Sequence, residues 1–309
     1  MATGALLDPD LSRGLEDLPI PVVNEVDDER LTPVQYTPEN VAGAGAELDP
    51  AEVTLPGCDC LAPSCARASC ACLQRHGAAY DEGGRLTVTA AGAGPSPAPV
   101  FECHVMCRCG ETCANRVVQR GSAWPLEVFK TPGKGWGLRS AAPIRRGCFV
   151  CEYAGEVLGH AEASARVRAQ APGDANYVIA VREHLSGGRT LQTFVDPSRV
   201  GNAGRYLNHS CRPNLYMVPV RVGGWHPRLA LFAARDIPAR QELCYDYSGR
   251  FNNDRDADTD ADAARAGLSP GESRPPSPAD RKPCLCGSED CSGFLPFDPS
   301  LYPPEGETL

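Results

Sequence analysis

Along this chain the apolar positions gather in short runs rather than at helical spacing. Between Leu126 and Tyr247 the segments LEVFK, CFVCEYAGEV, NYVIAV, TFVD, NLYMVPVRV, LALFAA and ELCYDY succeed one another, each bounded by turn-forming residues. Runs rich in β-branched and aromatic side chains predict strands, because such side chains fit a pleated, half-buried surface. One helix is predicted, over HAEASARVRAQ at 160–170. No G-x-G-x-x-G turn leads from a strand into a helix, which disfavours a Rossmann-type fold. The expected class is mainly β with few helices.

The flanks read differently. Residues 1–54 are acidic, punctuated by Pro and Gly, and end near the small-residue run VAGAGA; they predict extended or poorly ordered chain with a strand near Pro33–Tyr36. RLTVTAAGAGPSPAP at 85–99 predicts a flexible loop. The segment 252–282 carries Asp254, Asp256, Asp258, Asp260 and Asp262 followed by SRPPSP, with too few apolar residues to offset the entropy of ordering, so a disordered acidic insertion is expected.

Composition narrows the function. A net charge of −9 opposes nucleic-acid binding through the bulk field and suits a basic partner, of which histone tails are one example. The first twenty residues lack a basic start and an apolar core, and no run of 18 apolar residues occurs, so neither a secretory signal nor a membrane span is expected. In a reducing compartment, 16 cysteines point to metal more than to disulfides.

Nine of them form two bursts, Cys58, Cys60, Cys65, Cys70, Cys72 and Cys103, Cys107, Cys109, Cys113. Three tetrahedral zinc ions have twelve ligand positions, which nine thiolates fill if three of them bridge. A closed Zn3Cys9 cluster thus uses every cysteine here without His76 or His104. Cys284, Cys286 and Cys291 supply three further ligands, for which Cys211 is the candidate fourth. Cys148, Cys151 and Cys244 lie in strand-like runs and read as small buried hydrophobes.

The strings GKGWGLRS (133–140), CEYAGEVL (151–158), GRYLNHSCRPN (204–214) and ELCYDYSGR (242–250), with nine cysteines before them and C-x-C-x4-C after, resemble the SET-domain lysine methyltransferases. Their wording is nearest to a vertebrate branch fused to a mariner-type transposase; no transposase-like sequence follows here, and direct DNA binding is not expected. The resemblance implies small curved sheets with a pseudoknot (a β-clip core), a pre-SET zinc module at 55–121, a SET domain at 122–251, the insertion at 252–282, a post-SET zinc module at 283–299 and a tail at 300–309. It implies S-adenosylmethionine as cofactor, held by Lys134, Gly135, Trp136, Tyr177, Arg205, Asn208, His209 and Leu285. It also implies Tyr247 as the catalytic tyrosine and Tyr177 and Tyr245 as walls of the lysine channel. Tyr245 favours stopping at one or two methyl groups. The implied substrate is a histone H3 tail or nucleosome, in nuclear chromatin; a catalytically dead histone-binding scaffold and a non-histone lysine stand as alternatives.

Overall fold

The computed structural model describes residues 5–87, 99–171, 174–184, 190–248, 282–296 and 301. Among these the chain forms fifteen strands and two α-helices, arranged as three small sheets that share one large apolar cluster, with two smaller ones beside it. The expected mainly-β architecture is what the chain adopts. The expected loop at 85–99 lies mostly, and the acidic insertion almost wholly, outside the described residues.

In chain order the strands are β1 (Ala5–Asp8), β2 (Val22–Asn24), β3 (Gln35–Tyr36), β4 (Val41–Ala42), β5 (Val100–Phe101), β6 (Leu126–Thr131), β7 (Gly135–Ser140) and β8 (Phe149–Tyr153). They continue as β9 (Gly155–Leu158), β10 (Ile179–His184), β11 (Thr190–Gly201), β12 (Asn208–His209), β13 (Leu215–Arg221), β14 (Arg228–Ala233) and β15 (Glu242–Tyr245). The first sheet runs β1-β2-β6-β7-β15-β12, the second β10-β11-β9-β4 with β3 also on β11, and the third β5-β13-β14-β8. CFVCEYAGEV therefore does not make one strand: β8 and β9, split at Ala154, enter different sheets.

Burial follows the pairing. β14 lies between β13 and β8, and Leu229, Ala230, Leu231, Phe232 and Ala233 have no exposed surface, as expected of a central strand covered on both faces. Leu138, Leu215, Leu229, Leu231 and Leu243 belong to one cluster, so the sheets share a core.

The N-terminal segment takes up more regular structure than its composition suggests. β2 pairs parallel with β6, β3 with β11 and β4 with β9, so short pieces of leading chain complete the edges of two sheets. The small residues of VAGAGA make this possible. A Cβ on Gly43 would stand 2.7 Å from the Leu158 side chain, and one on Gly159 2.2 Å from the Gly45 carbonyl oxygen. Both positions need glycine because two backbones approach there.

The predicted helix is α2 (His160–Arg168); it buries Ala163, Ser164 and Val167 and ties Arg166 to Glu156, Glu162 and Asp196. The other helix, α1 (Ala71–His76), is a single short run among the cysteines, with Gly77 at φ +83° closing it by donating to Leu73 O. Among the described residues no helix is long and apolar enough to cross a membrane.

Candidate active site and metal centres

Two segments far apart in sequence build the site. β12 lies parallel to β15, with Asn208 opposite Cys244 and His209 opposite Tyr245. Asn214 pins the crossing from both sides: its amide donates to Glu242 O at 2.8 Å and its Oδ1 accepts from Cys244 N at 2.9 Å. Both partners are short, so this pairing rests on side-chain bonds as much as on the ladder.

On one side stands the turn before β7. Gly135 has φ +72° and no atom within 4 Å of where a Cβ would be, an open backbone cradle that a ligand can approach closely. Beside it, Trp136 is half-buried, and its carbonyl accepts from Asn208 Nδ2 at 3.1 Å. The same amide donates to Glu242 Oε1 at 2.9 Å, and Lys134 Nζ pairs with Glu242 Oε2. Glu242 thus joins two of the expected cofactor residues, Asn208 and Lys134. It was not singled out in the sequence, although it opens the quoted string ELCYDYSGR.

On the other side tyrosines converge. The Tyr247 hydroxyl donates to Leu207 O at 2.8 Å, and the Tyr245 and Tyr247 ring centroids are 4.9 Å apart. Tyr153, also overlooked, lies 6.2 Å from the Tyr245 ring and donates to Tyr177 O at 2.6 Å, while Arg205 stacks over the Tyr177 ring at 4.5 Å. Loss of water, with the nearby Tyr177 phenol adding to it, raises the Tyr247 pKa above the ordinary tyrosine value. Burial does the same to Tyr245. At neutral pH both are phenols that can donate.

His209 connects this group to the metal ligands. Its Nδ1 accepts from Tyr247 N at 3.2 Å, and its Nε2 is 3.4 Å from Cys211 Sγ. The sulfurs of Cys211, Cys284, Cys286 and Cys291 lie within 4.8 Å of one another. Leu285, between two of them, keeps 58% of its surface exposed.

In the first cysteine region, three quartets of sulfurs each fall within 4.8 Å: Cys58, Cys60, Cys65, Cys70; Cys58, Cys72, Cys103, Cys107; and Cys58, Cys65, Cys103, Cys109. A tetrahedral ion with Zn–S near 2.3 Å sets ligand sulfurs about 3.8 Å apart, whereas a disulfide sets them near 2.05 Å. Cys58–Cys65, Cys65–Cys103 and Cys72–Cys107 measure 3.7, 3.8 and 3.7 Å, and Cys211–Cys284 measures 3.9 Å. The donor sets fit zinc, and no cysteine is in a disulfide. Cys65 and Cys103 each fall in two quartets, as bridging thiolates must, and Cys58 lies within reach of all three. Cys113 reaches the cluster through the Cys65 amide, which donates to its sulfur at 3.4 Å. Further N–H···S bonds come from Cys58 and His104 to Cys107, from Asn115 to Cys103 and from Arg116 to Cys109, and these favour thiolates. Of the three cysteines read as buried hydrophobes, Cys151 is buried, while Cys148 and Cys244 are partly so.

Comparisons with known proteins show the family and the fold. The SET domain family matches residues 135–248 and the Pre-SET motif residues 12–116. The chain is 49% identical over 294 residues to the histone-lysine N-methyltransferase SETMAR of Mus musculus, covering 95% of this chain and 90% of that one. The crystal structure of the methyltransferase domain of human SETMAR superposes with a TM-score of 0.77 at 45% identity, covering 94% of this chain and 98% of that one. KRYPTONITE in complex with mCHH DNA, an H3(1-15) peptide and SAH superposes with a TM-score of 0.66 at 29% identity, covering 96% of this chain and 55% of that one.

Proposed function

The chain belongs to the SET-domain histone-lysine N-methyltransferases, and from that membership we propose that it methylates a lysine of histone H3, stopping at the mono- or dimethyl state. It is an S-adenosylmethionine-dependent enzyme, and the cofactor supplies a methyl group on a sulfonium. The observation that carries the site assignment is the pairing of Asn208–His209 with Cys244–Tyr245, which sets the open cradle at Gly135 beside the tyrosine group. Support for H3 comes from the peptide held by KRYPTONITE and from the net charge of −9, which suits a basic tail. The relatives' histone activity supports a place in chromatin.

In this reading Gly135, Trp136, Asn208 and Lys134 hold the cofactor, with Glu242 fixing the last two, and Arg205, Tyr177, His209 and Leu285 completing the pocket. The lysine amine, with a free pKa near 10.4, must be neutral to attack, and an apolar channel beside a cation lowers that pKa. Tyr247, protonated at neutral pH as any ordinary phenol is, orients the amine through its hydroxyl rather than serving as a base. Alignment then supplies most of the acceleration, with effective molarities on the order of 10⁵–10⁸ M. Three zinc ions in the first cysteine region, bridged by Cys58, Cys65 and Cys103, and one held by Cys211, Cys284, Cys286 and Cys291 are structural, since saturated coordination leaves no open position. The divisions at 55–121, 122–251, 252–282 and 283–299 are kept as the working domain limits.

Labelled cofactor with recombinant nucleosomes, followed by mass spectrometry, tests this. Label on H3 as mono- and dimethyl-lysine is expected; label on no histone overturns the substrate assignment. Tyr245→Phe should shift the product toward trimethyl, because an unmade buried hydrogen bond costs about 1–3 kcal/mol and each ~1.36 kcal/mol slows the third transfer tenfold. Abundant trimethyl product from wild type removes Tyr245 from that role.

A further inference from the structure

Away from the tyrosines, on the same strand that carries Tyr153, lies a second pocket. Every residue of β8 is buried, so the carboxylate of Glu152 has no route to bulk water along its own strand. It is 5% exposed; its Oε1 is enclosed and without a hydrogen-bond partner among the described residues, and its Oε2 is 3.5 Å from Arg228. An enclosed carboxylate oxygen left unpaired is costly, and sites of this kind call for an explanation. Glu152 lines a cavity of about 220 Å³ formed where the leading segment covers β8 and β14. That volume exceeds the roughly 30 Å³ of one water and falls below the roughly 300–1,000 Å³ of cofactor or drug-sized sites.

The cavity is anionic by charge count even with Glu152 neutral: Glu16, Asp17 and Glu39 line it against Arg120 and Arg228. Both guanidinium groups are engaged: Arg228 with Glu39 at 2.6 Å and Arg120 with the Cys113 carbonyl at 2.5 Å. Tyr36 donates to one oxygen of Glu16 at 2.7 Å. Around the mouth, Leu15 and Leu18 are 55% and 38% exposed. An apolar rim above buried carboxylates suits a cation with flat apolar faces and several in-plane donors. A guanidinium has these properties and gives up its water more readily than an ammonium.

We propose that this cavity binds a guanidinium group, carried by a small molecule or at the end of an arginine side chain, with Glu152 as its buried anion and Glu16 at the entrance. Burial lifts the Glu152 carboxyl to about 8; Arg228 opposes this, and Glu39, Glu16 and Glu102 add to it. At pH 7 the empty site therefore holds a neutral acid, and arrival of the cation expels its proton.

Calorimetry on the full-length zinc-loaded protein with methylguanidinium chloride, far below denaturing concentrations, tests this without methyl transfer as a readout, so its outcome is separate from that of the enzymatic proposal. Saturable binding with a Kd on the order of 1 mM is expected. The heat at pH 7 should change with the ionisation enthalpy of the buffer, reporting proton release. Glu152→Gln should weaken binding at least tenfold and abolish the proton release; it keeps the shape and the neutral state that the site favours. Glu16→Gln, at the entrance, should weaken binding to a smaller extent and serves as the test if the first variant fails to fold. N-acetylarginine methylamide binding tighter than methylguanidinium assigns the group to a side chain whose stem packs on Leu15 and Leu18; weaker binding assigns it to a free small guanidine. The proposal is overturned if methylguanidinium shows no saturable binding, if tetramethylammonium binds equally well, or if Glu152→Gln binds like wild type.

Discussion

Two kinds of core hold this molecule, one apolar and one of sulfur. The sheets close on aliphatic residues such as Val128, Leu138, Leu215 and Leu231, drawn from strands that also pair through their backbones. The region from Cys58 to Cys113 closes on sulfur: its buried cluster is Cys58, Cys70, Cys72, Cys103, Cys107, Cys109 and Cys113 with Leu73 as the one aliphatic member. Among the described residues there, the regular structure is α1 and the two-residue β5. The first core is stabilised by removing apolar surface from water, an effect spread over many side chains. The second is stabilised by ligand bonds to a few ions, so its stability is concentrated in a few atoms and depends on metal supply.

The largest expected effect separates them most sharply. Cys103→Ser removes a sulfur shared by two of the quartets and should release the whole first cluster, with zinc content falling from four ions per chain toward one. Cys60→Ser, which touches a single quartet, should lose no more than one ion. Elemental analysis of the two purified variants decides it, and equal losses would mean that the bridging assignment is wrong. In the sheet core, Leu231→Ala should cost about 2–5 kcal/mol while leaving zinc content unchanged. A denaturation curve beside the same metal assay reads both.

How far this contrast was legible in the sequence follows from what encodes each part. Metal ligation depends on residue type, so thirteen candidate ligand cysteines could be named from cysteine spacing and a family resemblance. The strand runs were visible for the same reason, since their pattern lies in the side chains. Edge pairing does not. β2, β3 and β4 join their sheets through backbone groups, and VAGAGA reads as loose chain until the close approach at Gly43 and Gly159 is seen. The quoted strings carried Asn208 and Tyr247 as candidates, but Glu242 and Tyr153 meet the candidate site through residues far away in sequence, which spacing does not record. Glu152 was passed over because a Glu within an apolar run looks like the outward face of a strand, and β8 has none.

Smaller effects refine the comparison. Glu152 is a charged-type residue on the aliphatic side, and its folded pKa of about 8 stands above the ordinary 4.5. The folded state therefore holds more protons between those values, so wild-type stability should fall as pH rises from 4.5 to 8 and level off above. Glu152→Gln should remove that slope and gain up to a few kcal/mol over wild type at pH 9. A variant that keeps the wild-type pH profile would show that another group is responsible. The smallest effect on stability is expected at Cys291→Ser, because Cys284, Cys286 and Cys291 are only partly buried. Its main consequence should be weaker cofactor binding, through Cys211 and its neighbour His209, with the melting temperature nearly unchanged. Calorimetry with S-adenosylhomocysteine measures it, and wild-type affinity would detach this metal site from the cofactor pocket.

The contact between Cys211 and Cys284 also orders events during synthesis. Cys211 emerges from the ribosome 73 residues before its partner. At elongation rates of roughly 5–20 residues per second, the wait lasts on the order of 4–15 s. During that interval the first cluster already has all its sulfurs and can load metal on the nascent chain, whereas the catalytic half holds an unmatched thiol beside His209. The metal site nearest the chemistry is thus the last to have its sulfurs, so a nascent chain can complete its first cluster before the site beside His209 is assembled.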